Sequence, residues 1–215
     1  MVEICNVGPV DNSFAPISMN LASGDVVMIH CQDRHKRVLF DVFSGYEKRF
    51  TGKILYGPYN WLDISDDKRS ILNRRYVGIA SPKYPLLGTL SMRENISMPL
   101  LLDGYKMNSI NISTIIQELK LQKCIDEFPS EISLSEYLRG ICARAFVEYK
   151  KIVIMDDLYA DLSIDEKGSS KLLTYWLAKK LNVTLIYITS IQEKENFSDI
   201  EYIEEDGNWK KIQWS

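Results

Sequence analysis

Two periods of apolar residues run through this chain. Short runs that are continuously apolar, or that alternate with polar residues, predict strands; apolar residues spaced three and four apart predict helices. The strands so predicted are Val2–Cys5, Ile17–Leu21, Val26–His30, Ile54–Tyr56, Ile152–Asp156 and Val183–Thr189, with two edge strands near Ile200–Ile203 and Trp209–Gln213. In Ile17–Leu21 the apolar Ile17, Met19 and Leu21 alternate with Ser18 and Asn20, whereas Val26–His30 reads as a fully buried strand. Helices are predicted at His35–Ser44, where Gly45 stops the turn, at 135–148 and at Asp165–Leu181. The middle of the chain, roughly Pro82 to Glu131, reads as mostly helical, with Ile112, Ile115, Ile116 and Leu119 on one face. Strands alternating with helices argue for a layered α/β fold. The expected organisation is a single domain over 1–215, its core at about 1–81 and 150–215 interrupted by a helical insert at about 82–150.

Composition narrows the picture without changing it. With 46% hydrophobic and 26% charged residues the chain reads as an ordinary soluble globular protein. A formal net charge of −3 gives no reason to expect nucleic acid as the main partner. Cys5, Cys31, Cys124 and Cys142 are scattered with no Cys-x-x-Cys pair, so buried free thiols in a reducing compartment are expected rather than zinc or disulfides. No apolar run approaches the ~20 residues of a membrane span, and Met1-Val-Glu-Ile does not read as a signal peptide. The expectation is a cytoplasmic protein that meets a membrane only through a partner. Asp63, Asp66 and Asp67 read as a solvated turn, and no metal site is expected. Trp209 and Trp214 read as edge-strand packing.

Candidate chemistry lies at two places. The first is the loop His30-Cys31-Gln32-Asp33-Arg34-His35-Lys36-Arg37, which follows a buried strand and opens a helix. A phosphate-binding loop at such a place uses glycines to curl N–H groups around phosphates, a lysine to reach the terminal phosphate, and Ser or Thr to hold Mg²⁺. Here Lys36 stands at the lysine position, no glycine is present, and Arg37 stands where the Mg²⁺ hydroxyl belongs. On these residues alone a plain strand–turn–helix with a basic patch is the simpler reading. The second place is ISLSEYLRGICARAFVEYKKIVIMDD: a polar turn, an amphipathic helix, an apolar strand, and the acids Asp156 and Asp157 at the strand's carboxyl end.

Taken in order along nearly the whole chain, these segments resemble the ATP-binding subunits of ABC transporters. ASGDVVMIH resembles the turn and strand before Walker A, VFSGYEKRFTGKILYG the segment after it, and LLGTLSMRENI with the following PLLL the Q-loop region. RGICARAF is similar to the helix after the signature, KIVIMDD to Walker B, and VTLIYITS to the strand leading to the switch histidine. The Q-loop wording is most similar to the lipoprotein-release, macrolide-efflux and cell-division subgroup. The resemblance implies a RecA-like P-loop NTPase core with an antiparallel β-subdomain and a helical subdomain. It also implies dimerisation and docking on a membrane permease, here near Leu86–Leu102.

The resemblance is to a degenerate member. The A-loop aromatic falls near Val10 or Asp11, with Phe14 a substitute only if the loop shifts. The Q-loop glutamine position is Pro82, and the signature reads Ile132-Ser133-Leu134-Ser135-Glu136, with the phosphate-facing Ser133 kept and both glycines lost. Asp156 holds the Walker B position, Asp157 the catalytic glutamate position, and Ser190 the switch histidine position. The D-loop reads Asp161-Leu162-Ser163, without its final aspartate. The resemblance thus implies a remnant nucleotide site of Lys36, Arg37, Ser133 and Asp156, with Asp157 and Ser190 at the catalytic positions. No cofactor is expected beyond ATP and Mg²⁺ if residual binding survives. The first reading is a non-catalytic structural or regulatory part of a transport complex, as a homodimer or paired with an intact ABC ATPase. A slow ATPase energising a permease, and a free-standing scaffold of the same fold, stand as alternatives.

Overall fold

The computed structural model describes residues 2–61, 63–102, 110–147, 150–190 and 197–213. In chain order the first elements are β1 (Val2–Pro9), β2 (Ile17–Leu21), β3 (Val26–Cys31), α1 (Asp33–Phe43), β4 (Phe50–Tyr56) and β5 (Tyr59–Asn60). Next come α2 (Asp66–Tyr76), β6 (Val77–Ala80), α3 (Met92–Leu102), α4 (Ile110–Glu118) and α5 (Leu134–Phe146). The chain continues with β7 (Ile152–Asp156), α6 (Ile164–Leu181), β8 (Thr184–Ser190), β9 (Ile200–Glu205) and β10 (Asn208–Gln213).

Two sheets form. An antiparallel one runs β2-β1-β4-β5, and a six-stranded one runs β10-β9-β3-β8-β7-β6. In the larger sheet β9, β3, β8, β7 and β6 are parallel neighbours, and β10 closes the edge as an antiparallel hairpin. Alternation along the strands feeds a core on each face. Val153, Met155, Leu185 and Tyr187 pack against the helices α3 to α6. Ile152, Ile154, Ile186 and Ile188 face the other way, onto α1, α2 and the antiparallel sheet. The layered α/β fold is thus the one the patterning predicts, and the antiparallel sheet beside the mostly parallel one is what the resemblance implies.

Several expectations need correction. Ile200–Ile203 does not form an edge: β9 lies between β10 and β3 and is mostly buried. The acids at 63–67 are not a bare turn: Ser65 caps α2, and Asp66 and Asp67 sit in its first turn, where the helix dipole favours them. Cys31, Cys124 and Cys142 are buried free thiols, but Cys5 is exposed. Trp209 does pack as expected, edge-on to Phe14 at 5.9 Å with its Nε1 donating to the Ala15 carbonyl at 2.7 Å; Trp214 lies outside the described residues. Gly78 is required by close approach, because a Cβ on it would lie 1.9 Å from the Ala145 carbonyl oxygen on α5.

Candidate functional site

Parallel register gathers the candidate residues at one end of the sheet. Cys31 pairs with Ser190, Asp156 with Ile188 and Ala80 with Met155. The segments leaving β3, β8, β7 and β6 therefore emerge together at the strands' carboxyl ends, where open α/β sheets bind ligands. Lys36, Asp156, Asp157 and Ser190 meet there.

Asp157 is held on every side. Its backbone takes a left-handed conformation, φ 41°, uncommon for a residue with a side chain. Thr189 Oγ1 donates to its Oδ1 at 2.8 Å, and Lys36 Nζ donates to its Oδ2 at 2.8 Å. Ser190 Oγ accepts from Lys36 at 3.2 Å and donates to Asp33. Burial pulls the Lys36 ammonium down, but its hydrogen bond to Asp157 and the charges of Asp157, Asp33 and Asp156 outweigh that and hold it above its ordinary value. Asp33 is held below the usual carboxylate range by the Ser190 hydroxyl and Lys36. Asp156 accepts from Ser81 Oγ at 3.0 Å and pairs with Lys83 Nζ at 3.2 Å. Two ammonium groups thus face three carboxylates, an arrangement that disfavours an incoming polyphosphate.

The start of α1 is occupied as well. Its N-cap Gln32 has no side-chain cap, and its backbone N–H donates to Glu204 Oε2 at 3.0 Å. The same carboxylate meets His35 Nδ1 at 2.8 Å. Phe14, expected to serve as a stacking aromatic only if the loop shifts, is buried with its ring 4.6 Å from that of His35. Burial pushes the Cys31 thiol in this loop up to about 12. Arg37 does not join the cluster; it is exposed and pairs along the helix with Asp41 at 3.6 Å.

Ser133 sits apart from Lys36, as the N-cap of α5. Its Oγ accepts from the Glu136 amide at 3.3 Å, while its own amide donates to Glu136 Oε2 at 3.0 Å, a complete capping box. The anion-favouring end of this helix therefore also carries an internal carboxylate.

The loop before α3 is tied down from below. Buried Asn95 accepts from Leu87 N at 2.7 Å and donates to the carbonyls of Leu87, Leu90 and Ser91, each at 3.0 Å. Arg144 on α5 donates to the carbonyls of Tyr84 and Pro85, and Tyr137 accepts from Leu86 N at 3.2 Å. Ser91 and Glu94 form a capping box at the start of α3. Leu86 is core, whereas Tyr84, Leu87, Leu101 and Leu102 are exposed.

Sequence reasoning missed Ser81, Lys83, Asp33, Thr189 and Glu204. The first four were visible as polar residues flanking strand ends. Glu204 had no local signal, being one of three glutamates in the six residues of β9.

No family model matches the chain. It is 24% identical over 189 residues to the ABC transporter ATP-binding protein MG065 of Mycoplasma genitalium, covering 87% of this chain but only 40% of that protein. It is 28% identical over 181 residues to the lipoprotein-releasing system ATP-binding protein LolD of Legionella pneumophila, covering 82% of this chain and 79% of that one. The dimeric structure of MJ0796, a bacterial ABC transporter cassette, superposes with a TM-score of 0.80 at 17% identity over 99% of this chain and 98% of that one. The fold is that of an ABC ATPase cassette, and the sequence is similar to ABC transporter ATP-binding proteins, the lipoprotein-release subgroup included.

Proposed function

We propose that this chain is an ABC-type subunit of a membrane transport complex whose nucleotide site is closed by its own side chains. On this reading it is a structural or regulatory component that does not turn over ATP. One observation carries it: Lys36, the only lysine of the phosphate-loop remnant, is bound to Asp157, the acid at the catalytic position. Each residue neutralises the other, so neither is poised for phosphate or water. Glu204 on the Gln32 amide and Glu136 on the Ser133 amide support it, because both helix starts are already served by internal acids. Phosphoryl transfer rests on positioned donors and charge, and here those donors are engaged.

Support for a permease partner comes from the exposed apolar side chains Leu87, Leu101 and Leu102 beside a loop fastened to α5. Support for dimerisation comes from the likeness to a dimeric cassette. Among the described residues no helix is long and apolar enough to cross a membrane, so attachment would run through the partner. Paired with an intact ATPase, one composite site would present Ser133 to the partner's phosphate loop, with the Glu136 carboxylate in the way.

A slow ATPase remains the second reading, favoured by the convergence of Lys36, Asp156 and Asp157 at one crevice. Calorimetric titration of the purified chain with ATP and Mg²⁺ separates the two. No saturable binding at millimolar nucleotide is expected. Micromolar binding that Lys36→Ala abolishes would sink the non-catalytic reading.

A further inference from the structure

At the other end of the sheet from Lys36 and Asp156, at the amino ends of β7 and β8, lies a cavity of about 420 Å³. It falls within the size range of small-ligand sites, roughly 300–1,000 Å³. Its floor is Ile152 and Thr184, and its walls come from the β4–β5 hairpin and from α2.

The walls are aromatic. Tyr56, Tyr59, Trp61 and Tyr76 all face the cavity. Tyr56 and Trp61 are buried and lock each other edge-to-face, with centroids 4.7 Å apart and planes at 74°. The Tyr56 hydroxyl is anchored to the Phe43 carbonyl at 2.6 Å, which fixes that ring. Tyr59 and Tyr76 are half-buried. Such a rigid slot suits a flat ring, which stacks at low entropic cost.

The rim is basic. Lys151 lines the cavity, and its described lining includes no carboxylate. Lys68 stands over the Tyr59 ring at 4.8 Å and Arg75 over the Tyr76 ring at 5.5 Å, but neither lines the cavity, so Lys151 is the cation in its described lining. Among the described residues Lys151 enters no ion pair of its own. Aromatic walls with a cation at the mouth recognise an apolar plane bearing one negative charge.

We propose that this cavity binds a small planar aromatic carboxylate, the ring held against Tyr59 and Tyr76 over the buried Tyr56 and Trp61, and the carboxylate paired with Lys151. The site is separate from the nucleotide crevice and does not depend on whether that crevice binds ATP. A ligand here would bridge the β4–β5 hairpin, α2 and the amino ends of β7 and β8.

The test is isothermal titration of the full chain with 2-naphthoate, and in parallel with the neutral naphthalene-2-carboxamide. Saturable one-to-one binding of the naphthoate is expected, with the carboxamide about fivefold weaker, the range of one partly exposed ion pair. Lys151→Met, a surface change that circular dichroism should show to be folded, is expected to weaken naphthoate about fivefold and leave the carboxamide unaltered. Absence of saturable binding by naphthoate overturns the proposal. So does naphthoate binding that Lys151→Met leaves unchanged, which would mark indiscriminate apolar adsorption.

Discussion

At Glu204 a carboxylate with no exposed side-chain surface meets the Gln32 amide and the His35 ring. Removing its charge while keeping its shape isolates what that charge does. Glu204→Gln is expected to lower stability by about 1–3 kcal/mol, because the start of α1 loses its counter-charge and His35 loses a charge-assisted bond. Urea unfolding measures it, and an unchanged midpoint would mean that the carboxylate is not what holds this helix start. Nothing local in the sequence announces the contact, since 172 residues separate its two ends. His30 makes a second residue-scale prediction. Burial holds its imidazole below the ordinary value of 6.5. The unfolded chain therefore takes up the proton first as pH falls, so the native advantage is complete above that value and is lost as pH drops below it. Melting temperature followed from about pH 8 to about pH 5 should fall more steeply in the wild type than in His30→Leu. Parallel curves would remove His30 from the acid response.

Helix α2 shows why some elements were hidden from a reading of periodicity. Of its residues only Arg69 and Leu72 are buried, and Ile71 is 57% exposed, so no apolar stripe marks it. Its true signals are electrostatic and local: Ser65 as cap, two acids in the first turn, Arg74 and Arg75 in the last. By contrast β7 was legible to the residue, because five buried apolar or terminal positions in a row admit little else. The missing glycines of the loop were legible, but its engaged side chains were not, because Thr189 and Glu204 reach the site only through tertiary pairing, and Asp33, although in the loop itself, meets Ser190 the same way. Around α3 the element-scale device is Asn95, whose single amide serves one amide and three carbonyls of the loop 87–91. Asn95→Ala strands these groups in a partly buried place and should cost about 1–3 kcal/mol. Amide exchange at Leu87 should accelerate beyond what the global destabilisation explains. If it does not, the loop is held from elsewhere.

At the scale of the molecule, the loop 84–91 is strapped to α5 by Arg144 and Tyr137, and Ser133 caps the start of α5. Force on the exposed Leu87 would therefore reach Ser133 at the start of α5 through packed helix rather than through flexible chain. On the proposed function, Leu87→Asp should abolish co-purification with a permease while leaving the melting temperature within about 1–2 °C of wild type, as expected of an exposed position. Retention of the permease by that variant would move the docking surface elsewhere. The two internal glutamates have one further consequence. Glu136 and Glu204 are tethered, so they compete for the helix starts at an effective concentration above the millimolar level that even a flexible tether supplies. On the proposed function, any phosphate arriving from solution would have its apparent affinity divided by that local excess. The chain would then carry its own competitive inhibitor, at a dose that dilution cannot lower and only a change of side chain can.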